Sequence, residues 1–183
     1  LVSISKAAFK NCASLTSITV ADNNANFSSN EDGILFNKDK SKLILYPINN
    51  KRTSYSVPEG VKVIGRESFW GAEALQNITL PDSVTQIDGS AFMETGFWNN
   101  ESNWINEELY INNKYLISVG RNELISGDYE GKEGTKVIAG NAFRNCDLTS
   151  IVIPASVVSV GECALGISNL NEITVDENNE YLT

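Results

Sequence analysis

The chain has 183 residues, of which 14 are basic and 23 acidic, and its formal charge is −9. This balance argues against a nucleic-acid partner, because affinity for a phosphate backbone comes mainly from Lys and Arg. The sequence has no histidine, which removes Ser-His-Asp and Cys-His mechanisms and most zinc sites. No apolar run approaches the roughly 20 residues that span a bilayer, so we expect no membrane insertion.

A repeat organises the chain. Ile64 and Ile87 are 23 residues apart, and so are Phe69 and Phe92. Between them, LQNITLP from Leu75 has the apolar spacing that is typical of the strand of a leucine-rich repeat. The sequence therefore predicts a stack of similar coils.

In chain order, residues 4–20 match this spacing, and a longer connection follows them. Within residues 21–57, two β-favouring runs at 34–36 and 43–46 flank a charged tip. This arrangement predicts a β-hairpin inserted in one coil.

The second interruption, residues 93–135, also contains two short β-favouring runs on either side of a turn. Runs at 109–111 and 115–119 flank an Asn-Asn pair, which suits a tight hairpin turn because Asn tolerates positive φ. Regular units return from Thr135. We expect one domain over residues 1–183 that is truncated at both ends, with about five regular units and hairpin-bearing insertions at 21–57 and 93–135.

Each unit has too few apolar residues to close a core alone, so equivalent side chains of successive coils should stack in ladders. The predicted ladders are Ile4, Ile64, Ile87, Ile138 and Val160; Phe9, Phe69, Phe92, Phe143 and Leu165; and Leu15, Leu75, Leu148 and Leu170, with Trp98 in the vacant leucine place. The β-branched strand residues favour a parallel sheet along one face. The predicted fold is a repeat solenoid, a leucine-rich repeat right-handed superhelix of short parallel β-strands with loops and inserted β-hairpins.

The three cysteines are expected to be free thiols. Cys12 and Cys146 each follow a ladder phenylalanine by three residues, which predicts small buried groups far apart along the stack. Cys163 lies in a different phase of the repeat.

The outward positions of the predicted strands are the first candidate binding surface. They carry short hydroxyl and amide side chains, which suit weak multivalent contacts more than a deep pocket. The predicted ligand-binding residues on this face are Thr16, Thr19, Gln76, Asn77, Thr79, Thr149, Ser150, Asn171 and Thr174, with Ser17, Val152 and Glu172 beside them.

Trp104 is the second candidate, since aromatic rings are enriched at binding sites. It follows several amide side chains that could help to hold a sugar or a peptide, although a loop Trp also often covers local core. The acidic turns 22–24 and 176–180 could offer oxygen ligands to Ca²⁺, but their spacing fits no EF-hand, which favours solvated turns. We expect no metal, no cofactor and no catalytic residue.

These motifs resemble the BspA-like leucine-rich repeats, also called the Treponema pallidum type, with the pattern LxxIxIPxSVxxIGxxAFxxCxx. The matching segments are ISKAAFKNCASLTSITV from Ile4, LQNITLPDSVTQIDGSAF from Leu75 and LTSIVIPASVVSVGECAL from Leu148. The resemblance covers essentially the whole chain. It implies a bacterial extracellular or cell-surface protein used in adhesion or host interaction, and it implies no conserved catalytic residues.

Three functions fit these observations. The chain is expected to be a monomer that binds a host protein, a matrix component or a glycan. Alternatively it is a spacer that displays another domain of a larger secreted protein, or an accessory module of a secreted hydrolase.

Overall fold

The computed structural model describes residues 2–4, 8–9 and 12–182, and these residues form short β-strands with very little helix. Residues 5–7 and 10–11 of the first repeat motif lie outside the described residues. The strands are β1 Phe27–Ser29, β2 Leu35–Asn37, β3 Lys42–Leu45, β4 Ser54–Ser56, β5 Val63–Ile64, β6 Asn77–Thr79, β7 Gln86–Ile87, β8 Trp104–Ile105, β9 Glu108–Ile111, β10 Tyr115–Val119, β11 Ser126–Glu130, β12 Val137–Ile138, β13 Asp147–Ile153, β14 Ser159–Val160 and β15 Glu172–Val175. An α-helical turn, α1 Gly96–Asn99, and a 3-10 turn, Glu101–Asn103, lie between β7 and β8.

The chain packs into two compact units, which comprise residues 1–84 with 90–100 and residues 85–89 with 101–183. In the first unit, β1, β2 and β3 pair antiparallel, and β3 then pairs parallel with β5. A separate parallel pair joins β4 to β6, with Tyr55 opposite Ile78. The hairpin predicted around the charged tip is therefore present as β2 and β3.

The second unit repeats this plan. Strands β8, β9 and β10 pair antiparallel, and β10 continues into a parallel sheet with β12 and β14. A further parallel sheet joins β11, β13 and β15, in which Tyr129, Ile151 and Ile173 are aligned. The repeat solenoid of short parallel strands and inserted hairpins that the spacing predicted is confirmed.

The last strand of each hairpin also takes a regular place in the stack. In the first unit, the Tyr46 N–H donates to the Ser68 carbonyl at 2.7 Å, directly after β3. In the second, the Val119 N–H of β10 donates to the Ala142 carbonyl at 2.9 Å. Each predicted insertion thus supplies a coil of its own, rather than only interrupting one.

The core contains the middle members of the predicted ladders, together with residues that the period did not reveal. The outer members of the ladders are half-buried, namely Ile4, Phe9, Leu15, Val160, Leu165 and Leu170. In the first unit, the buried ring of Phe69 lies between Tyr46 and Phe92, with ring centroids 5.1 Å away on both sides. In the second unit, Phe143 is fully buried and packs edge-to-face with Tyr129, with their ring centroids 4.9 Å apart. Stacking of like side chains on successive coils is what buries these rings.

Trp98 does not fill the vacant leucine position. Phe97 is the buried residue, and its N–H donates to the Leu75 carbonyl at 2.7 Å, whereas Trp98 is half-buried. The cause is the short helix α1, which Thr95 caps by accepting the Trp98 N–H on its hydroxyl at 3.0 Å. This helical turn directs Phe97 inward instead.

The cysteines are free thiols, and Cys12 and Cys146, which were predicted to be buried, are less buried than expected. Cys146 is half-buried, and Cys12 and Cys163 are exposed. Ala13 and Ser14 beside Cys12 are exposed as well, so this bend stands away from the core.

Candidate binding surface

The outward face of the first unit is formed by alternate residues of β4 and β6. Ser54, Ser56, Asn77 and Thr79 are exposed, and the intervening side chains point into the core. The Thr79 hydroxyl donates to the Ser56 hydroxyl at 2.8 Å across the two strands. This face offers hydroxyl and amide groups.

The first coil presents a similar surface without a regular strand. Thr16, Ser17 and Thr19 are exposed, and the Ile18 N–H donates to the Gly33 carbonyl at 2.8 Å. A Cβ on Gly33 would lie 2.4 Å from the Ser17 Cβ, so the residue at position 33 must be glycine for the two segments to approach this closely.

Gln76 is exposed, but its side chain already has a partner. Its Nε2 donates to the Glu73 carbonyl at 3.3 Å, and a Cβ on Gly96 would come within 2.3 Å of the same atom. Gln76 therefore covers the adjoining bend, which reduces its freedom to meet a ligand.

The outward face of the second unit is wider and acidic. The register of β11, β13 and β15 aligns Asp128, Ser150 and Glu172 in one row, and Glu130, Val152 and Thr174 in the next. The members of both rows are exposed apart from half-buried Ser150. The predicted surface of short hydroxyl and amide side chains describes the first unit, whereas here β11 adds two carboxylates.

Asp128 organises the hydroxyl groups of this face. One of its carboxylate oxygens accepts a hydrogen bond from the Thr149 hydroxyl at 3.1 Å and another from the Ser150 hydroxyl at 2.7 Å. Asn171 and Thr174 on the neighbouring segment are exposed, and the Asn171 N–H donates to the Thr149 carbonyl at 2.8 Å. A ligand on this face would therefore meet fixed acceptors more than free hydroxyl donors.

Sequence reasoning missed Asp128 and Glu130, although a signal for them was present. They flank Tyr129 as Ser54 and Ser56 flank Tyr55, so alternation around either tyrosine marks them as outward residues.

Trp104 lies in the second unit on β8, the edge strand of its sheet, opposite Leu109. The indole is half-buried, and the Arg121 guanidinium lies 5.6 Å from the ring centroid, within the range of a cation–π contact. Arg121 also approaches the Glu101 carboxylate at 3.9 Å. Ile105 beside it is 68% exposed, so the β8 edge combines a covered indole with an open apolar side chain.

Glu107 fixes the loop that carries Arg121. Its carboxylate accepts the backbone N–H groups of Arg121, Asn122 and Glu123 at 2.8, 2.7 and 3.3 Å, and its carbonyl accepts the Gly120 N–H at 2.9 Å. The three bonds to the carboxylate lower the pKa of Glu107, and the Asn122 bond has the largest effect. The loop beside Trp104 is thus held by a charged side chain that the sequence pattern did not single out.

Among residues 2–4, 8–9 and 12–182, no group of three or more Cys, Asp or Glu side chains is arranged to hold a metal ion. In the acidic turn near the C-terminal end, one carboxylate oxygen of Asp176 is occupied by the N–H and side-chain amide of Asn178. Helices of a length and hydropathy that would allow a membrane crossing are likewise absent from this described part of the chain.

Three solved structures of bacterial proteins are similar to this chain. A leucine rich cell surface protein of Faecalibacterium prausnitzii is 25% identical, over 66% of this chain and 41% of its own, with a TM-score of 0.34. A leucine-rich repeat protein of Eubacterium ventriosum is 22% identical over 86% and 44%, with a TM-score of 0.38. The pneumococcal vaccine antigen PcpA is 21% identical over 92% and 41%, with a TM-score of 0.42. The chain spans less than half the length of each.

No curated protein matches the chain. The family model described as BspA type Leucine rich repeat region matches in six copies, at residues 1–40, 46–120 and 130–183. These ranges include the β9–β10 hairpin, whereas β3 of the first hairpin lies between two of them. Since the repeat model accounts for most of the sequence and the coils stack as that repeat requires, the chain belongs to the BspA type leucine-rich repeat family.

Proposed function

We propose that this chain is a non-catalytic extracellular module that binds a protein or glycan at a bacterial cell surface through the outward faces of its parallel sheets. The observation that carries the proposal is the exposed polar surface of the β4–β6 pair and of the β11–β13–β15 sheet. Membership of the BspA type family supports the extracellular placement.

The short side chains of these faces favour an extended ligand over a small molecule. Serine, threonine and asparagine side chains cannot enclose a small molecule, whereas a row of them can make many weak contacts with an extended ligand. The two faces differ in chemistry, since the first unit presents hydroxyl and amide groups and the second adds the carboxylates of Asp128, Glu130 and Glu172. A partner for the second face should therefore bring hydrogen-bond donors or positive charge.

Binding of the whole chain to a glycan array and to purified extracellular-matrix proteins tests the proposal. Thr79→Arg and Thr174→Arg place a long charged side chain on each face in turn, and we expect the relevant one to weaken binding by about tenfold or more. Asn145→Arg, in the exposed turn just before β13, is the matched control. Binding that all three variants retain would place the ligand elsewhere, and no binding at all would favour the spacer function.

Trp104 is a second candidate site, favoured by its place on an edge strand next to exposed Ile105. If the indole contacts a glycan or a peptide, Trp104→Ala should weaken binding while the melting temperature stays close to that of the unmodified chain. Arg121→Ala removes the guanidinium that lies over the ring. Comparison of the two variants therefore shows whether the indole or the guanidinium contacts the ligand. Unchanged binding in Trp104→Ala would leave the sheet faces as the proposed surface.

A further inference from the structure

The last strand of the second unit has an open apolar edge. Among the strands of the described residues, β13 is the only one that pairs with β15. Ile173 on β15 continues the row of Tyr129 and Ile151, yet it is 51% exposed, whereas Ile151, with a neighbour on each side, is 1% exposed. Tyr181 in the following turn is 61% exposed. A sheet edge with exposed apolar side chains is a typical place for another strand to add.

The turn after β15 has the same hydrogen bonds as a turn in the first unit. Residues 173–182, ITVDENNEYL, align with residues 18–27, ITVADNNANF, and place Asn179 on Asn24. Each asparagine donates its N–H to the carbonyl three residues earlier at 2.9 Å. Its side-chain oxygen accepts the N–H groups two and three residues later, at 2.9 and 3.0 Å for Asn24 and at 2.9 and 2.8 Å for Asn179. The two turns are therefore structural equivalents.

In the first unit this turn leads into the hairpin of β1, β2 and β3. Phe27, which ends the turn, is buried and is the first residue of β1, which pairs with β2. The Ser29 hydroxyl accepts the Val20 N–H at 3.0 Å, so β1 contacts the segment before the turn. Near the hairpin tip, the Lys38 ammonium donates to the Asp22 carbonyl at 3.0 Å. The hairpin thus contacts both the turn and the segment that precedes it.

The equivalent turn in the second unit is open and more acidic. Leu182, in the place of Phe27, is half-buried. The turn has three carboxylates, at positions 176, 177 and 180, whereas the first turn has one, at Asp22. Because Lys38 already approaches the less acidic turn, a positively charged hairpin tip complements this one more strongly.

We propose that the edge of β15 and the turn at residues 176–182 together form a docking surface for a β-hairpin with a basic tip, of the same kind as β1, β2 and β3. Apolar side chains of the hairpin cover Ile173 and Tyr181, and a lysine at its tip lies against the acidic turn. The site is the edge of the sheet, so it can be occupied while the outward face with Thr174 stays open to the ligand proposed above.

An extension of the whole chain tests this docking surface. Residues 28–50 are added again after Leu182, in place of Thr183, so that a second copy of the hairpin follows the second turn. Hydrogen exchange of the β15 amides is then compared with that of the unextended chain. We expect exchange at residues 172–175 to slow by about tenfold or more, because strand amides that gain a hydrogen-bonded neighbour exchange only when the strand opens.

The matched control is an extension of the same length in which the copies of Leu35, Phe36 and Leu43 are serine, which removes the apolar side chains that would dock. Equal exchange at β15 in the two extended chains would overturn the proposal.

Glu177→Lys tests the role of charge in the same experiment. Glu177 is exposed, so the substitution should leave exchange in the unextended chain unchanged. In the extended chain it should reduce the protection of β15 by about threefold, since it places two positive charges together. Protection that Glu177→Lys leaves intact would exclude a basic tip as part of the contact.

Discussion

The rings of Phe69 and Phe92 stack in the first unit with their centroids 5.1 Å apart and their planes inclined by 25°. These residues are 23 positions apart in the sequence, and both are at most 1% exposed. The Phe69 N–H also donates to the Ala91 carbonyl at 2.8 Å, so the same two coils are joined through backbone and side chain. Residues one repeat apart in the sequence are therefore the residues that pack on each other in successive coils.

Phe69→Ala should lower the free energy of unfolding by about 3–5 kcal/mol, since it removes a ring that is covered on both sides and leaves a cavity. Denaturant unfolding followed by circular dichroism measures this loss. Phe69→Leu, which keeps most of the volume, should cost clearly less. An alanine variant as stable as the unmodified chain would contradict the stacking described here.

The regular coils could be predicted because apolar residues repeat at fixed spacing, whereas the hairpin coils could not be placed in the same register. Tyr46 packs on Phe69 as one of its stacked rings, yet it comes after a hairpin that shifts the local spacing. Helix α1 has a similar effect, because its cap at Thr95 makes Phe97 the buried aromatic in place of Trp98. In both places the local backbone geometry, and not the repeat spacing, determines which aromatic side chain packs in the core.

The candidate surface was predictable to the extent that it depends on strand alternation. Thr79 is exposed as the alternation requires, whereas Thr174 lies on β15, where the neighbouring Ile173 is exposed as well. Whether either threonine binds a ligand stays a prediction. The Arg121 contact with Trp104 was not predictable, since it depends on a loop that Glu107 holds through three backbone N–H groups. No periodic signal in the sequence encodes such a contact.

Gly140→Ala should destabilise the second unit because the backbones approach too closely for a side chain. A Cβ on Gly140 would lie 2.6 Å from the Gly89 nitrogen, and one on Gly161 would lie 2.3 Å from the Gly140 nitrogen. Neither Gly140 nor Gly161 has a positive φ, so the glycine is needed for contact between coils and not for a turn. We expect a loss of about 1–3 kcal/mol in chemical unfolding, as for other overpacked sites.

The matched control for this substitution is Gly166→Ala, because the nearest atom to its added Cβ would be the Cys163 carbonyl oxygen at 3.4 Å. Its stability should stay within about 0.5 kcal/mol of the unmodified chain. Equal losses in the two variants would show that close approach of the coils is not the reason for glycine at position 140.

Asn179→Ala should lower stability by about 1–3 kcal/mol, the usual cost of leaving buried polar groups unpaired. The Asn179 amide donates to the carbonyls of Pro154 and Val157 at 3.0 and 2.9 Å. Its side-chain oxygen accepts the N–H groups of Tyr181 and Leu182 at 2.9 and 2.8 Å. Thermal unfolding measures the loss.

Asn178→Ala is the natural comparison, since Asn178 is exposed and its amide donates to Asp176 in the same turn. We expect it to change stability by less than about 0.5 kcal/mol. Asn179→Asp keeps the acceptor and replaces both donors by a charge that faces carbonyl oxygens, so it should be at least as harmful as alanine at neutral pH. A well-tolerated aspartate would exclude the donor bonds as the source of the stabilisation.

The Glu107 carboxylate should make the loop at residues 120–123 sensitive to acid. Its pKa is lowered from the ordinary value of 4.5, first by the Asn122 N–H. Because the folded pKa lies below the unfolded one, this carboxylate stabilises the loop fully at pH above about 4.5, and its contribution is lost as pH falls through the folded pKa. The amide proton shifts of Arg121, Asn122 and Glu123 should therefore titrate together in NMR spectra, with a midpoint below 4.5.

Glu107→Gln separates this effect from the general response of an acidic protein to low pH. The variant keeps one acceptor oxygen but loses the charge, so the three amide shifts should no longer titrate with the low midpoint, and the Arg121 guanidinium should lie less firmly over Trp104. Glu133→Gln, on an exposed turn, should leave the titration unchanged. If the three amides titrate identically in Glu107→Gln and in the unmodified chain, another group controls the loop, and Glu107 does not position Arg121.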